Sequence, residues 1–343
     1  MKAFAYAAGS IGLACALIFG APAQAESNLE QTKVSIAVGG KTLFYYLPLT
    51  IAEQKGFFKE EGLDVEISDL SGGSKALQAL VGGSADVVSG SYEHTISMQA
   101  KGQDIVAFVV EGNAPGIVLG VAKNKADKIT SAKDLKGLNI GVTAPGSSTH
   151  MYVKTLLVKA GLSPDDISAI GVGAGAGAVA ALEHGEVDAV ANLDPVIAKL
   201  EADDAIKVMY DTRTKAGVDE VYGGDYHAAV LYTKASYLHD NPHTSQALAN
   251  AIVHALKWMA SATPEEIVNT VPEAYYGGDK ALYTAALKAN LGSYSKTGEF
   301  SKEATEHVLA VLKAFDEKVQ KATIDLSKTY DDQFAKAAQS AVK

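Results

Sequence analysis

The segment Ala79-Leu80-x-x-Gly83-x-x-Asp86-x-Val88 recurs further along the chain as Ala181-Leu182-x-x-Gly185-x-x-Asp188-x-Val190. Each copy reads as the last turn of a helix, a glycine stop and a short apolar strand. Each also follows a glycine-rich helix start, Gly72-Gly73 in the first case and Gly173 to Gly177 in the second. A unit repeated in this way predicts two similar α/β lobes. Around the first copy, apolar strands at Val34–Val38, Leu63–Ile67, Ala85–Val88 and Ile105–Val110 alternate with helices starting at Leu47-Pro48, Gly72 and Tyr92. That alternation predicts a mostly parallel sheet flanked by helices in each lobe.

Ligands of such sheets sit at the carboxyl ends of the strands, which here are the loops at Gly39, Ser89, Glu111 and Ala144. The apolar stretches Gly116–Ala122 and Tyr226–Thr233 are suited to carry the chain from one lobe to the other and back. The organisation expected is therefore a first lobe over 26–115, a second over 116–225, and a return to the first over 226–343. The last part reads as mostly helical, with Asn241-Pro242 capping a helix through Trp258 and Thr263-Pro264-Glu265-Glu266 starting another.

The first 25 residues stand apart. Met1-Lys2, an apolar run through Phe19 and the ending Ala23-Gln-Ala25 predict a secretory signal cleaved after Ala25 and an exported product. Cys15, the single cysteine, lies inside this run, and Gly12 stands where a lipoprotein signal would want a large aliphatic residue. A mature chain without thiols excludes disulfides, thiolate catalysis and cysteine–zinc sites. Removing the leader leaves 29 cationic and 40 acidic residues, a formal charge of −11. This acidic surface disfavours nucleic acid and anionic lipid as partners. Arg213 is the only arginine.

The stretch from Asn139 to Ala160 carries the clearest chemistry. A short strand, Ile140 to Thr143, runs into Pro145-Gly146, and Ser147, Ser148 and Thr149 stand where a helix N-cap belongs. Free N–H groups at Gly146 to Thr149, the hydroxyls and His150 would make an anion-sized receptor. An ordinary capped helix fits the same residues equally well. Elsewhere the motifs are weak. The glycines at 171, 173, 175 and 177 lack the spacing of a dinucleotide fingerprint, and the eight histidines never fall in metal-ligand spacing. Tyr92-Glu93-His94 follows Ser89-Gly90-Ser91, but a solvated helix N-terminus accounts for Glu93, and no catalytic set, cofactor or metal is called for.

Taken together, the segments Ile51–Phe58 with Glu61-Gly62-Leu63, the two Ala-Leu-x-x-Gly-x-x-Asp units, Asp134–Gly137 leading to Pro145–His150, Ala160-Gly161-Leu162, Asp194-Pro195 and Asp325–Asp331 resemble one family throughout. It is the periplasmic substrate-binding proteins of ABC importers for sulfonates, nitrate and taurine, related to thiamine-pyrimidine binders. The resemblance implies a two-lobed type II periplasmic binding protein fold with the ligand in the cleft. It implies a monomer that delivers a small anionic solute to permease subunits with their ATPase, and no enzymatic activity. The pyrimidine-synthesising relatives use a cysteine-rich motif that is absent here.

Carried over by position, the ligand loops are Lys41 to Tyr46, Ser89 to Tyr92 (Ser89, Gly90, Ser91, Tyr92), Glu111-Gly112, Gly146 to His150, and Asn192 to Asp194. Within them Lys41, Tyr45 and Tyr46 are candidate contacts. Lys41 could equally be solvated, the two tyrosines could pack under Pro48, and Asp194 could serve as a helix cap. Many relatives carry a tryptophan before Asp-Pro where this chain has Asn192-Leu193. An exported enzyme or a ligand-presenting sensor subunit on the same scaffold remain the rival functions.

Overall fold

The computed structural model describes residues 28–342 as one continuous stretch, so the expected leader and its cleavage at Ala25 lie outside the described residues. Ten strands form two five-stranded sheets. The first holds β1 (Lys33–Val38), β2 (Asp64–Asp69), β3 (Val87–Ser91), β4 (Ile105–Val110) and β10 (Ala229–Lys234), in the order β2-β1-β3-β10-β4. The second holds β5 (Val118–Ala122), β6 (Asn139–Val142), β7 (Ser168–Gly171), β8 (Ala189–Asn192) and β9 (Ile206–Asp211), in the order β7-β6-β8-β5-β9. Each sheet has four strands running one way and one running against them, β10 in the first and β5 in the second. These are the two apolar stretches expected to carry the chain across, which explains why each enters its sheet reversed.

The repeated motif does the same work in both lobes. Gly83 and Gly185 end their helices with φ of +79° and +72°, where a side chain would be strained. Asp86 then donates its N–H to Ser35 O of β1, and its carboxylate accepts from Ser35 N at 2.8 Å and Ser35 Oγ at 2.7 Å. Asp188 likewise donates to Asn139 O of β6 and accepts from Asn139 N at 2.7 Å. The aspartate thus joins the incoming strand to the outermost end of its neighbour, and the repeat is architectural.

The central strands β3 and β8 are buried along their whole length, as strands covered on both faces must be, and so is β4, an edge strand covered by helices; the edge strands β2 and β7 are half exposed. The 20-residue helix Pro242–Ser261 backs the first sheet. Two segments connect the lobes, 111–117 and 212–228. They lie side by side, with Gly112 and Ala228–Ala229 paired at one end and Gly116–Ile117 and Thr212 at the other.

One boundary departs from expectation in a way that matters. The alternation of residue types ends the third strand at Val88, but pairing with β10 carries the ladder through Ser91. Ser89 and Ser91 therefore belong to a rigid strand and share one face of it. Gly90 points the other way, where a Cβ would lie 2.8 Å from the ring of Tyr232.

Candidate functional site

The carboxyl ends of β3 and β4 hold two buried glutamates. Glu93 opens the helix Glu93–Gln99 directly after β3, and Glu111 follows β4. Neither reaches solvent: Glu93 is 2% exposed and Glu111 0%. Ser89 Oγ donates to Glu111 Oε2 at 2.6 Å. Ser91 Oγ donates to Glu93 Oε2 and Tyr226 Oη to Glu93 Oε1, both at 2.6 Å. Burial pushes both carboxyls upward, Glu111 to about 8 against its single stabilising bond from Ser89.

Tyrosines wall this cluster. Tyr45 and Tyr46 come from a short turn, Phe44–Tyr46, that leads into the helix Leu47–Lys55, and their rings meet edge to face at 5.1 Å. Burial, then the charge of Glu93, raises the Tyr45 hydroxyl, which also lies beside Ser91 and Glu111. Tyr222 closes the helix Lys215–Tyr222 of the second lobe and stacks on Tyr226 at 4.0 Å. Three buried polar atoms in the cluster have no hydrogen-bond partner among the described residues: Tyr45 Oη, Tyr222 Oη and Glu111 Oε1.

The second lobe closes over the cluster. His94 is buried, with Nδ1 3.1 Å from Tyr232 Oη and Nε2 3.3 Å from Gly146 O across the cleft. Burial holds its imidazole down at about 4, so it is neutral. Ser74 donates its N–H to Ser147 Oγ and its hydroxyl to Pro145 O, and Phe44 N donates to Asp194 O. A void of about 10 Å³, bounded in part by Phe44, Tyr45, Leu193 and Tyr294, remains beside the cluster, room for about one water.

The structure brings Tyr45, Tyr46, Ser89, Ser91 and Glu111 together, with Gly90 and Gly112 in the backbone behind them and Ser147 on the opposing lobe. Other candidates serve elsewhere. Lys41 pairs with Glu53 at 2.7 Å and donates its N–H to Asp69. Tyr92 turns into the first lobe, its hydroxyl 2.6 Å from Thr329 Oγ1. Asn192 donates to Gly173 O. Asp194 is fully buried and accepts from Ala198 N, Asn290 Nδ2 and Arg213, fastening the lobes and capping the helix Val196–Ala202. Arg213 is spent on Asp211, Glu201 and Asp194.

The helix start at Ser148 is also differently arranged than expected. Gly146 N–H donates to His150 Nδ1 at 3.0 Å, Thr149 Oγ1 accepts from Thr143 N, and Ser147 Oγ accepts from Ser74 N. His150 therefore acts as a neutral acceptor, and burial and Lys154 hold it down at about 4. Ser148 is only half buried. These hydroxyls stitch the loop and the lobes together rather than converging on one anion.

Reading the residues missed Glu93, which is buried rather than solvated, and with it His94, Tyr222 and Tyr226. The spacing Ser89-x-Ser91-x-Glu93 held the signal: two hydroxyls on one strand face, ending beside a carboxyl that needs donors once it is out of water.

A solved protein structure from Bordetella bronchiseptica RB50 is 50% identical, with 91% of this chain and 98% of that one covered and a TM-score of 0.88. The periplasmic nitrate-binding protein of Synechocystis PCC 6803 is 16% identical, with 92% and 90% covered and a TM-score of 0.73, which establishes a shared two-lobed fold. The protein YtlA of Bacillus subtilis is 26% identical over 85% of this chain and 83% of its own length. A 4-amino-5-hydroxymethyl-2-methylpyrimidine phosphate synthase of Schizosaccharomyces pombe is 28% identical over 47% of this chain and 44% of its own length. One family matches residues 43–267, from the tyrosine turn through the whole of the long helix behind the first sheet and into the helix that follows it. The chain belongs to the NMT1/THI5-like family, on a periplasmic binding protein fold.

Proposed function

We propose that this chain is an exported solute-binding protein that captures one small molecule between its lobes and delivers it to the permease of an ABC importer. The observation that carries this reading is the burial of a polar, partly unpartnered cluster at the surface where the lobes meet. A solute reaches Glu93 and Glu111 only when the lobes part, and the paired segments 111–117 and 212–228 are the place for them to hinge. The mature chain begins at Glu26, with 26–115 and 226–343 in one lobe and 116–225 in the other, and acts as a monomer in the periplasm.

The nitrate-binding neighbour suggests an anion. The charges in the cleft argue against it. Among the described residues neither Glu93 nor Glu111 has a lysine or arginine partner, while Lys41 and Arg213 are already paired with acids.

Native mass spectrometry of protein released from the periplasm, with no solute added, is expected to give the chain from Glu26 with one small molecule bound. Returning that molecule to stripped protein should reduce the radius of gyration in small-angle scattering. An empty protein whose radius stays fixed with every solute tried would sink the reading. Synthase-type chemistry is the second reading, favoured by the Schizosaccharomyces pombe match. It would be supported by recovery of the bound molecule in chemically altered form.

A further inference from the structure

We infer that the molecule held between the lobes is a planar nitrogenous cation of amidinium type, its N–H groups donating to Glu111 and Glu93. This rests on the solute-capture reading above and adds the chemical class of the solute. Three features carry it. First, the hydrogen bonds already present run toward the two carboxyls: Ser89, Ser91 and Tyr226 all donate to them. The atom left over, Glu111 Oε1, is an acceptor with no hydroxyl or N–H to satisfy it. A buried carboxylate oxygen without a donor is costly, and a ligand that supplies N–H groups removes that cost.

Second, the positive charge that an anion would need is missing from the cluster. Its single imidazole within reach, His94, is occupied by Tyr232 and by Gly146 O of the opposite lobe. A sulfonate or nitrate would stand against two carboxyls with only helix termini to offset them, whereas a cation takes the place of the proton that burial keeps on Glu111 in the empty protein and leaves a carboxylate of opposite sign.

Third, the walls are aromatic. Tyr222 and Tyr226 stack at 4.0 Å, and Tyr45 and Tyr46 face edge to face at 5.1 Å. Ring faces attract a flat cation, and the free hydroxyls of Tyr45 and Tyr222 offer further acceptors at its edge. A compact tetrahedral anion uses none of this surface.

Benzamidine, methanesulfonate, nitrate and tetramethylammonium separate the possibilities by calorimetry and thermal shift. Benzamidine is expected to bind and to raise the melting temperature, and tetramethylammonium, a cation without N–H groups, to bind at least tenfold more weakly. Glu111→Gln should cost benzamidine at least tenfold in affinity, since a hydrogen bond between charged groups is lost. Tyr45→Phe, which removes one hydroxyl and leaves the ring, should cost less and serves as a second variant at the same wall. Binding of methanesulfonate or nitrate with lobe compaction would overturn the cation and leave solute capture standing. Benzamidine binding that Glu111→Gln leaves unchanged would overturn the assignment of Glu111. A failure of all four probes to bind would also count against the cation. An unchanged radius of gyration with the co-purified molecule as well would remove solute capture with it.

Discussion

Glu111 has no exposed surface and one hydrogen bond, so its carboxyl keeps its proton to a pH of about 8 in the folded chain, against 4.5 when unfolded. Between those values the folded state binds the proton and the unfolded state does not, so stability falls as pH rises. Glu93 acts in the same direction. His94, His150 and His227 act in the opposite one: burial lowers each to about 4 from 6.5, so they add stability as pH rises from 4 to 6.5 and nothing above it. The window from pH 6.5 to 8 is therefore where the carboxyls stand alone. Denaturant unfolding of ligand-free protein across that window is expected to show stability falling by about 1.4 kcal/mol per pH unit through Glu111, tapering near pH 8, with Glu93 acting in the same direction. Glu111→Gln should remove the part due to Glu111. A variant as pH-sensitive as the parent would mean that Glu111 is ionised when folded. Glu111 could be reached from the sequence because it ends a strand. Glu93 could not, because the same letters describe a solvated helix start, and only the tertiary neighbours Tyr226 and Ser91 decide between the two.

At the scale of elements, the two Gly-x-x-Asp units explain why so much of the fold was legible. Periodicity located the strands, glycines marked the helix stops, and the aspartates tie each third strand to the first by local bonds that hardly depend on the rest of the molecule. Asp86→Ala leaves Ser35 N and Ser35 Oγ without their acceptor at the start of β1. Unsatisfied donors of this kind cost about 1–3 kcal/mol each when buried, and the site is only part-buried, so a loss of about 1–3 kcal/mol in all is expected. Asp188→Ala removes the acceptor of Asn139 N and the ion pair to Lys125 in the other lobe, and should cost a similar amount. Calorimetric unfolding of the two variants checks this; a loss below about 0.5 kcal/mol in both would make the motif ornamental. The strand end at Ser91 and the fate of the Ser147–His150 turn were not legible, for one reason. Both depend on partners far along the chain, β10 in the first case and, for the Ser147 hydroxyl, Ser74 in the second.

For the whole molecule, closure depends on residues too small to keep the lobes apart. Gly72, at the start of the helix Gly73–Gly82, faces Ala144 at the end of β6, and a Cβ on Gly72 would lie 2.7 Å from that of Ala144. Its φ of 179° is ordinary extended backbone, so a side chain there strains nothing within its own lobe. Overpacking of this kind typically costs about 1–3 kcal/mol, and here the cost falls on the closed form alone. Gly72→Val is therefore expected to unfold within about 0.5 kcal/mol of the parent. It should bind its solute about tenfold or more weakly, because each 1.4 kcal/mol laid on the closed state is tenfold in affinity. Scattering provides the second readout: with the solute that compacts the parent, the variant should stay nearer the larger radius at equal concentration. If the variant instead compacts and binds like the parent, the contact between Gly72 and Ala144 is not what closure must pass through. If it loses stability as well as affinity, the lobes do not part far enough in the free protein to relieve the clash, and capture by hinge opening fails with it.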